Sequence, residues 1–228
     1  MARGAPVIDV IMPTLGHMGD LTANSLHHLP WPYNLITCGE RIGWGQAINK
    51  CLEQRVEGRD AIIIDDDVQL LPETFEGFER YLPYGHIFGF KLYYPSGGLQ
   101  HDGGWVSDEG GAGHIFSGSD SPSYVAYITT SLSYFKSELF DIGMRFPEWP
   151  GYQWEDVAFC LEAERHIYNV VYVPLKAYHH ETATKRHLAD WGARFNANWN
   201  LFKEGYLLDC RRLAAKFGPS RRILLNAT

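Results

Sequence analysis

The chain has 228 residues, 45% hydrophobic and 21% charged, enough for one sizeable folded α/β domain without demanding two. Its formal charge of −7 is unevenly spread, with 11 basic and 23 acidic groups in residues 1–180 against 9 and 4 in residues 181–228. The acidic body disfavours nonspecific nucleic-acid binding, whereas the basic tail (Arg211, Arg212, Lys216, Arg221, Arg222) is compatible with phosphates, anionic lipid or a solvated helix face. Cys38, Cys51, Cys160 and Cys210 lie far apart with no C-x-x-C pair, and they read as reduced, mostly buried thiols rather than a disulfide framework. No charged-then-apolar leader precedes Val7, and no apolar run approaches a membrane span. The expectation is a cytoplasmic protein, with peripheral contact at the inner membrane surface allowed by the tail.

In chain order, residues 7–13 predict a first strand, and Thr14–His17 the turn at its end. A helix follows from about Asp20 to His27, then a short strand over Asn34–Thr37. In Gly43–Glu53, Ala47, Ile48, Cys51 and Leu52 share one helical face, and the opening glycines suggest close backbone approach. Ala61–Ile64 is a short apolar strand running into Asp65-Asp66-Asp67. On an extended backbone Asp65 and Asp67 point the same way, as oxygen ligands suited to Mg²⁺ or Mn²⁺, with Asp66 turned aside. A solvated acidic turn before a helix from Pro72 to Tyr81 competes with that assignment. The β-α-β-α-β-α order argues for a parallel sheet of nucleotide-binding type.

Residues 86–94 predict another strand, 95–105 a glycine-rich turn or hairpin, 124–134 a strand rich in hydroxyls, and 137–142 a short helix. The aromatic loop 147–154 delivers Glu155-Asp156 to a helix running to about His166, where the pair is either a cap or a catalytic element. A strand over Asn169–Val173 is closed by Pro174, and Tyr178-His179-His180-Glu181 follows, where an imidazole can complete a metal site or simply face solvent. Beyond His187 the pattern is helical.

The order of these motifs resembles the GT-A glycosyltransferases, in particular the family-2 type that includes rhamnosyltransferases and other enzymes of cell-surface polysaccharide synthesis. The resemblance covers roughly residues 7–205. It rests on Val10–Thr14, Gly43-Trp-Gly-Gln-Ala-Ile-Asn49, Ile64–Asp67 at the D-x-D position, Tyr94–Gly103, Ile128–Lys136, Trp154-Glu-Asp-Val157, and Val171–Pro174 with His179-His180. It implies a single Rossmann-like domain, a mixed, mainly parallel central sheet flanked by helices, with a small acceptor-side β element and C-terminal helices. Residues 1–94 would bind the nucleotide-sugar, 95–180 the acceptor, and 181–228 form a helical extension. Two departures stand out. The acidic, serine-containing turn after the second strand is replaced by Thr37–Arg41, leaving Glu40 as the candidate for the nucleobase, and Ala158 stands where the family has a second aspartate.

The resemblance further implies a sugar transfer with inversion. A divalent cation, Mn²⁺ or Mg²⁺, would be held by Asp65, Asp67 and His180 or its neighbour His179, with Asp156 as general base and Glu155 orienting it or the sugar. The donor, a nucleotide-diphosphate sugar, would meet Pro13, Thr14, Glu40, Gly43, Gly45, Asn49, Asp65 and Asp66. The acceptor, a glycan, lipid-linked or other small hydroxyl compound, would meet Trp105, Thr130 and Trp154, with Trp149 and Tyr152 as further stacking faces. Three rival functions share the sheet. A nucleotidyltransferase would carry an Arg-containing phosphate loop that Met12–His17 lacks. A silent sugar-binding scaffold would not need intact Asp65, Asp67, Asp156 and His180, and transfer to a hydroxylated base of phage DNA is disfavoured by the acidic body.

Overall fold

A computed structural model describes residues 6–14, 19–40, 42–150, 153–181, 191–218 and 222–225. The expected turn at 15–17, Tyr152, His187 and Arg221 lie outside them. Along β1 (Ile8–Pro13) and β3 (Ala61–Ile64), side chains alternate between two layers as the pleat requires. Ile8, Val10, Met12, Ile62 and Ile64 enter one layer, while Ile11, Ala61 and Ile63 enter the other. Both faces are covered, so all four residues of β3 are buried, as its continuous apolar run requires. The Ile11 face packs under α2 (Trp44–Leu52), α3 (Ser137–Asp141), α4 (Glu155–Arg165) and α5 (Trp191–Phe217). The opposite face packs under Leu26 and Leu29, which follow α1 (Gly19–Ser25), and under Phe75, Phe78 and Tyr81.

The central strands run in the order β2 (Tyr33–Cys38), β1, β3, β10 (Leu132–Phe135), β5 (Ile87–Tyr93), β11 (Val170–His179). Parallel pairing joins β1 to β2 and β3 and joins β5 to β11, while β10 is antiparallel to both neighbours, so five of these six strands share one direction. This is the mixed, mainly parallel centre expected. Beyond it, β9 (Ser123–Tyr124) and β12 (Ile223–Leu224) extend the sheet antiparallel, β4 (Val68–Leu70) joins β11, and β6 (Leu99–His101) joins β5. A separate hairpin of β7 (Gly104–Val106) and β8 (Ala112–His114) is the small β element. The carboxyl ends of β1, β3, β5 and β11 therefore share one edge, where open α/β sheets bind ligands.

Several sequence expectations are corrected. Residues 72–81 form turns and then a 3₁₀ segment, Phe78–Tyr84, because Gly77 between them is left-handed and breaks any continuous α-helix. Thr74 ties these turns to the sheet by donating to the Lys176 carbonyl at 2.7 Å. The strand expected over 124–134 splits into β9 and β10 with irregular chain between. Pro174 does not close β11; the strand passes through it with a register shift between Tyr172 and Lys176, the bulge that tolerates a proline without its N–H. A single described helix, not several, forms the C-terminal extension, and the chain then returns to add β12.

The four cysteines are buried and free. Among the described residues no helix is long and apolar enough to cross a membrane. The described cations of the basic tail make internal contacts. Arg212 and Lys216 pair with Glu164 at 3.8 and 3.1 Å, Arg211 donates to the Asp108 carbonyl at 3.2 Å, and Arg222 lies 3.5 Å from the buried Asp102 carboxylate.

Candidate active site

The acidic triplet leaves β3 in a turn rather than as extended chain. The Asp65 N–H still bonds the Ser131 carbonyl beside the neighbouring strand at 2.9 Å, but the Val68 N–H reaches back to the Asp65 carbonyl at 3.3 Å, closing the turn. β4 then pairs antiparallel with β11, setting Val68 opposite His179. That pairing draws three side chains together: ligand atoms of Asp65, Asp67 and His179 all lie within 4.8 Å of one another. His179 Nε2 is 3.1 Å from Asp67 Oδ1 and 3.9 Å from Asp65 Oδ2. Asp66 is turned aside and accepts a hydrogen bond from the Thr14 hydroxyl at the end of β1.

The two histidines part company. His180 follows His179 on an extended backbone, so its ring faces the other way, 3.4 Å from Gln69 Oε1, while its N–H bonds the Asp67 carbonyl at 2.9 Å. His179 is the one brought to the carboxylates. Burial lowers its pKa, but the hydrogen bond to Asp67 and the charges of Asp65, Asp67 and Glu181 outweigh burial and hold it above the ordinary histidine range. Asp65 is pushed up by desolvation; His179 opposes this, and the adjoining Asp67 and Asp66 add to it. A divalent cation held by Asp65, Asp67 and His179 would offset this crowding of negative charge. Two carboxylate oxygens and one imidazole nitrogen are a donor set suited to such an ion.

The Gly43–Asn49 segment has a structural explanation. A Cβ on Gly45 would stand 2.1 Å from the Pro147 carbonyl oxygen, so α2 and the aromatic loop approach backbone to backbone. Asn49 is buried and clamps that loop: its amide donates to the Phe146 carbonyl at 2.8 Å and to Glu148 Oε1 at 3.0 Å, and its Oδ1 accepts from the Phe146 N–H at 3.0 Å. Glu40 is exposed and paired with Lys50 at 2.6 Å.

The clamped loop ends in two consecutive left-handed residues, Gln153 (φ 82°) and Trp154 (φ 77°), immediately before α4. Such conformations cost about 1–3 kcal/mol each for non-glycine residues. They are held by packing: the Trp154 ring lies parallel to Trp199 of α5, centroids 6.1 Å apart, and against Phe202. This fixes the direction in which Glu155 and Asp156 leave the helix start. Glu155 is buried between α2 and α5, with Asn198 Nδ2 3.4 Å from its Oε1. Burial pushes its pKa up to about 9, which favours the protonated carboxyl at neutral pH. Asp156 remains half-buried, accepts the Val157 N–H at 2.8 Å, and lies close enough to Tyr127 to raise the phenol further after burial has raised it.

Of the acceptor-side candidates, Thr130 is buried, Trp154 is core, and Trp105 is half-buried in β7, bordering a small cavity with Leu213 and Phe217. Trp149 packs edge-on to Tyr206 at 6.5 Å. One residue with a place at this site had no assigned role in the motifs: Gln100, whose Oε1 lies 2.8 Å from His179 Nδ1. It stands inside the glycine-rich Tyr94–Gly103 segment, but no local pattern says where it points.

No protein-family model matches the chain. An uncharacterized protein of Sinorhizobium fredii, y4gI, is 28% identical over 160 residues, covering 62% of this chain and 17% of its own length. Among solved structures, a mannosyltransferase from Pyrobaculum calidifontis in complex with GDP-Man and Mn²⁺ superposes with a TM-score of 0.54 at 15% identity, covering 95% of this chain. GalNAc-T7 with UDP, GalNAc and Mn²⁺ gives 0.58 at 9% identity over 78% of the chain, and S. aureus TarS gives 0.57 at 17% over 89%. The fold is GT-A. The chain spans about a sixth of the curated relative and 66%, 44% and 40% of these three structures. Within that fold the Asp65–Asp67–His179 cluster sits at the carboxyl edge of the sheet, and Asp156 lies in the first turn of α4.

Proposed function

We propose that this chain transfers a sugar from a nucleoside-diphosphate sugar to an acceptor hydroxyl, using a divalent cation held by Asp65, Asp67 and His179. The observation that carries this reading is the convergence of those three side chains at the carboxyl edge of a GT-A sheet. A site with one imidazole among its ligands suits Mn²⁺ better than Mg²⁺, which favours oxygen ligands alone. When bound, the cation supplies neutralisation of the charge that gathers on the departing diphosphate. The solved structures sharing the fold carry matching ligands: Mn²⁺ with GDP-Man in one, Mn²⁺ with UDP and GalNAc in another.

The remaining work falls to the chain's own side chains. Thr14, tied to Asp66, holds the end of β1 against the acidic turn on the donor side. Asp156, half-buried at the first turn of α4, is the base that takes the acceptor hydroxyl proton, and one base acting in a single displacement gives inversion. The motif order from Val10–Thr14 to His179 supports the family-2 type among GT-A enzymes, with residues 1–94 as the donor half and 95–180 as the acceptor half.

The test is thermal: nucleoside diphosphates are titrated with and without Mn²⁺. One nucleotide should stabilise the protein only with Mn²⁺, by about 2.7 kcal/mol at a hundredfold excess over Kd, a rise on the order of 5–10 °C. Asp67→Ala should abolish it. A folded protein whose melting temperature no nucleotide moves, with Mn²⁺ present, refutes the reading and leaves a silent scaffold in its place.

A further inference from the structure

The β5–β6 pairing sets Leu92 opposite His101 and Tyr93 opposite Leu99, so Gln100 is the extra residue of a bulge. Bulges re-aim side chains, and this one turns the Gln100 amide, itself 7% exposed, toward the acidic cluster. Its Oε1 lies 2.8 Å from His179 Nδ1 and its Nε2 3.3 Å from Glu181 Oε2. A carboxylate only accepts hydrogen bonds, so Glu181 fixes which end of the amide faces it. The amide oxygen then faces His179, where it too can only accept, so Nδ1 carries the hydrogen. Nε2 is directed at Asp67, 3.1 Å away.

We infer that Gln100, oriented by Glu181, is the positioning residue that holds His179 with Nε2 toward the cation site; this rests on the metal reading given above. Partners that orient a metal-binding histidine through its second nitrogen are worth roughly 10- to 100-fold in metal affinity.

Mn²⁺ alone is titrated against the whole chain, with free Mn²⁺ followed by its EPR signal and folding by thermal melting. Gln100→Leu, which keeps bulk and removes the acceptor, should weaken Mn²⁺ binding by roughly 10- to 100-fold. Exchanging the pair, Gln100→Glu with Glu181→Gln, restores both hydrogen bonds with the amide and carboxylate swapped and should stay within about threefold of wild type. This exchange also tests the inference independently of whether Gln100→Leu folds. Wild-type affinity in Gln100→Leu, or a loss of about tenfold in the folded exchange variant, overturns the positioning role. Asp67→Ala separates the two readings. If it binds Mn²⁺ as wild type does, the metal site itself is wrong and this inference falls with it; if it loses Mn²⁺ while Gln100→Leu keeps it, only the positioning role falls.

Discussion

Glu155→Gln replaces a buried carboxyl by its neutral isostere. In the folded protein Glu155 ionises near 9, against 4.5 for the free side chain. Its folded pKa is raised, so the stability it permits is fully present below about pH 4.5 and is lost as pH rises toward 9. Between those limits the unfolded chain releases a proton that the folded chain retains, at about 1.4 kcal/mol per pH unit. At pH 7, roughly 2.5 units above the unfolded value, the handicap is about 3 kcal/mol. The amide carries no such handicap and can occupy the same space beside Asn198 and under Gly45. The variant should therefore melt on the order of 5–10 °C higher than wild type at about pH 7, and the difference should shrink toward pH 4.5 and widen toward pH 9. Melting curves of both proteins across that range are the assay. A difference that stays constant across the range would show that Glu155 does not retain its proton in the fold and refute its assignment as a protonated carboxyl.

Asp156→Asn should keep the Mn²⁺-dependent stabilisation by nucleotide while transfer falls by roughly 10²- to 10⁴-fold; turnover near wild type removes Asp156 as base. Gly45→Ala sets a methyl group against the Pro147 carbonyl and should cost about 2 kcal/mol or more, lowering the melting temperature by roughly 4–8 °C. An unchanged melting temperature would mean the two backbones do not need this approach.

Some of the site is legible from local pattern alone. Four apolar residues before three aspartates predict a buried strand ending in acid, and the alternation of side chains puts Asp65 and Asp67 on one side with Asp66 on the other. The structure keeps that division, although it forms across a turn. The glycine at 45 likewise announces a close approach, and the approach is found at Pro147. In both cases the determining physics acts within a few residues: pleat period, chain turn, the absence of a Cβ.

Where the partner is distant in sequence, local pattern fails. A proline reads as the end of a strand, yet β11 continues past Pro174 because a bulge absorbs the missing N–H. The same shift, with the pairing of Val68 to His179, decides that His179 rather than His180 meets the carboxylates. Trp154 reads as a stacking face for the acceptor and Glu155 as the group that orients Asp156 or the sugar, yet the packing of α5 buries both. The helix start at Pro72 predicts a helix over residues 72–81, yet the left-handed Gly77 breaks it into turns that carry Phe75 and Phe78 to the sheet.

The amino-acid order by itself thus determined the chemistry on offer at the edge of the sheet: a buried strand, its three carboxylates, and a pair of histidines far along the chain. Only the tertiary structure decided which histidine joins the carboxylates, that Gln100 stands behind it, and which member of Glu155-Asp156 stays outside the core. Those choices depend on strand register and burial, and both are set by contacts between segments that no local pattern connects.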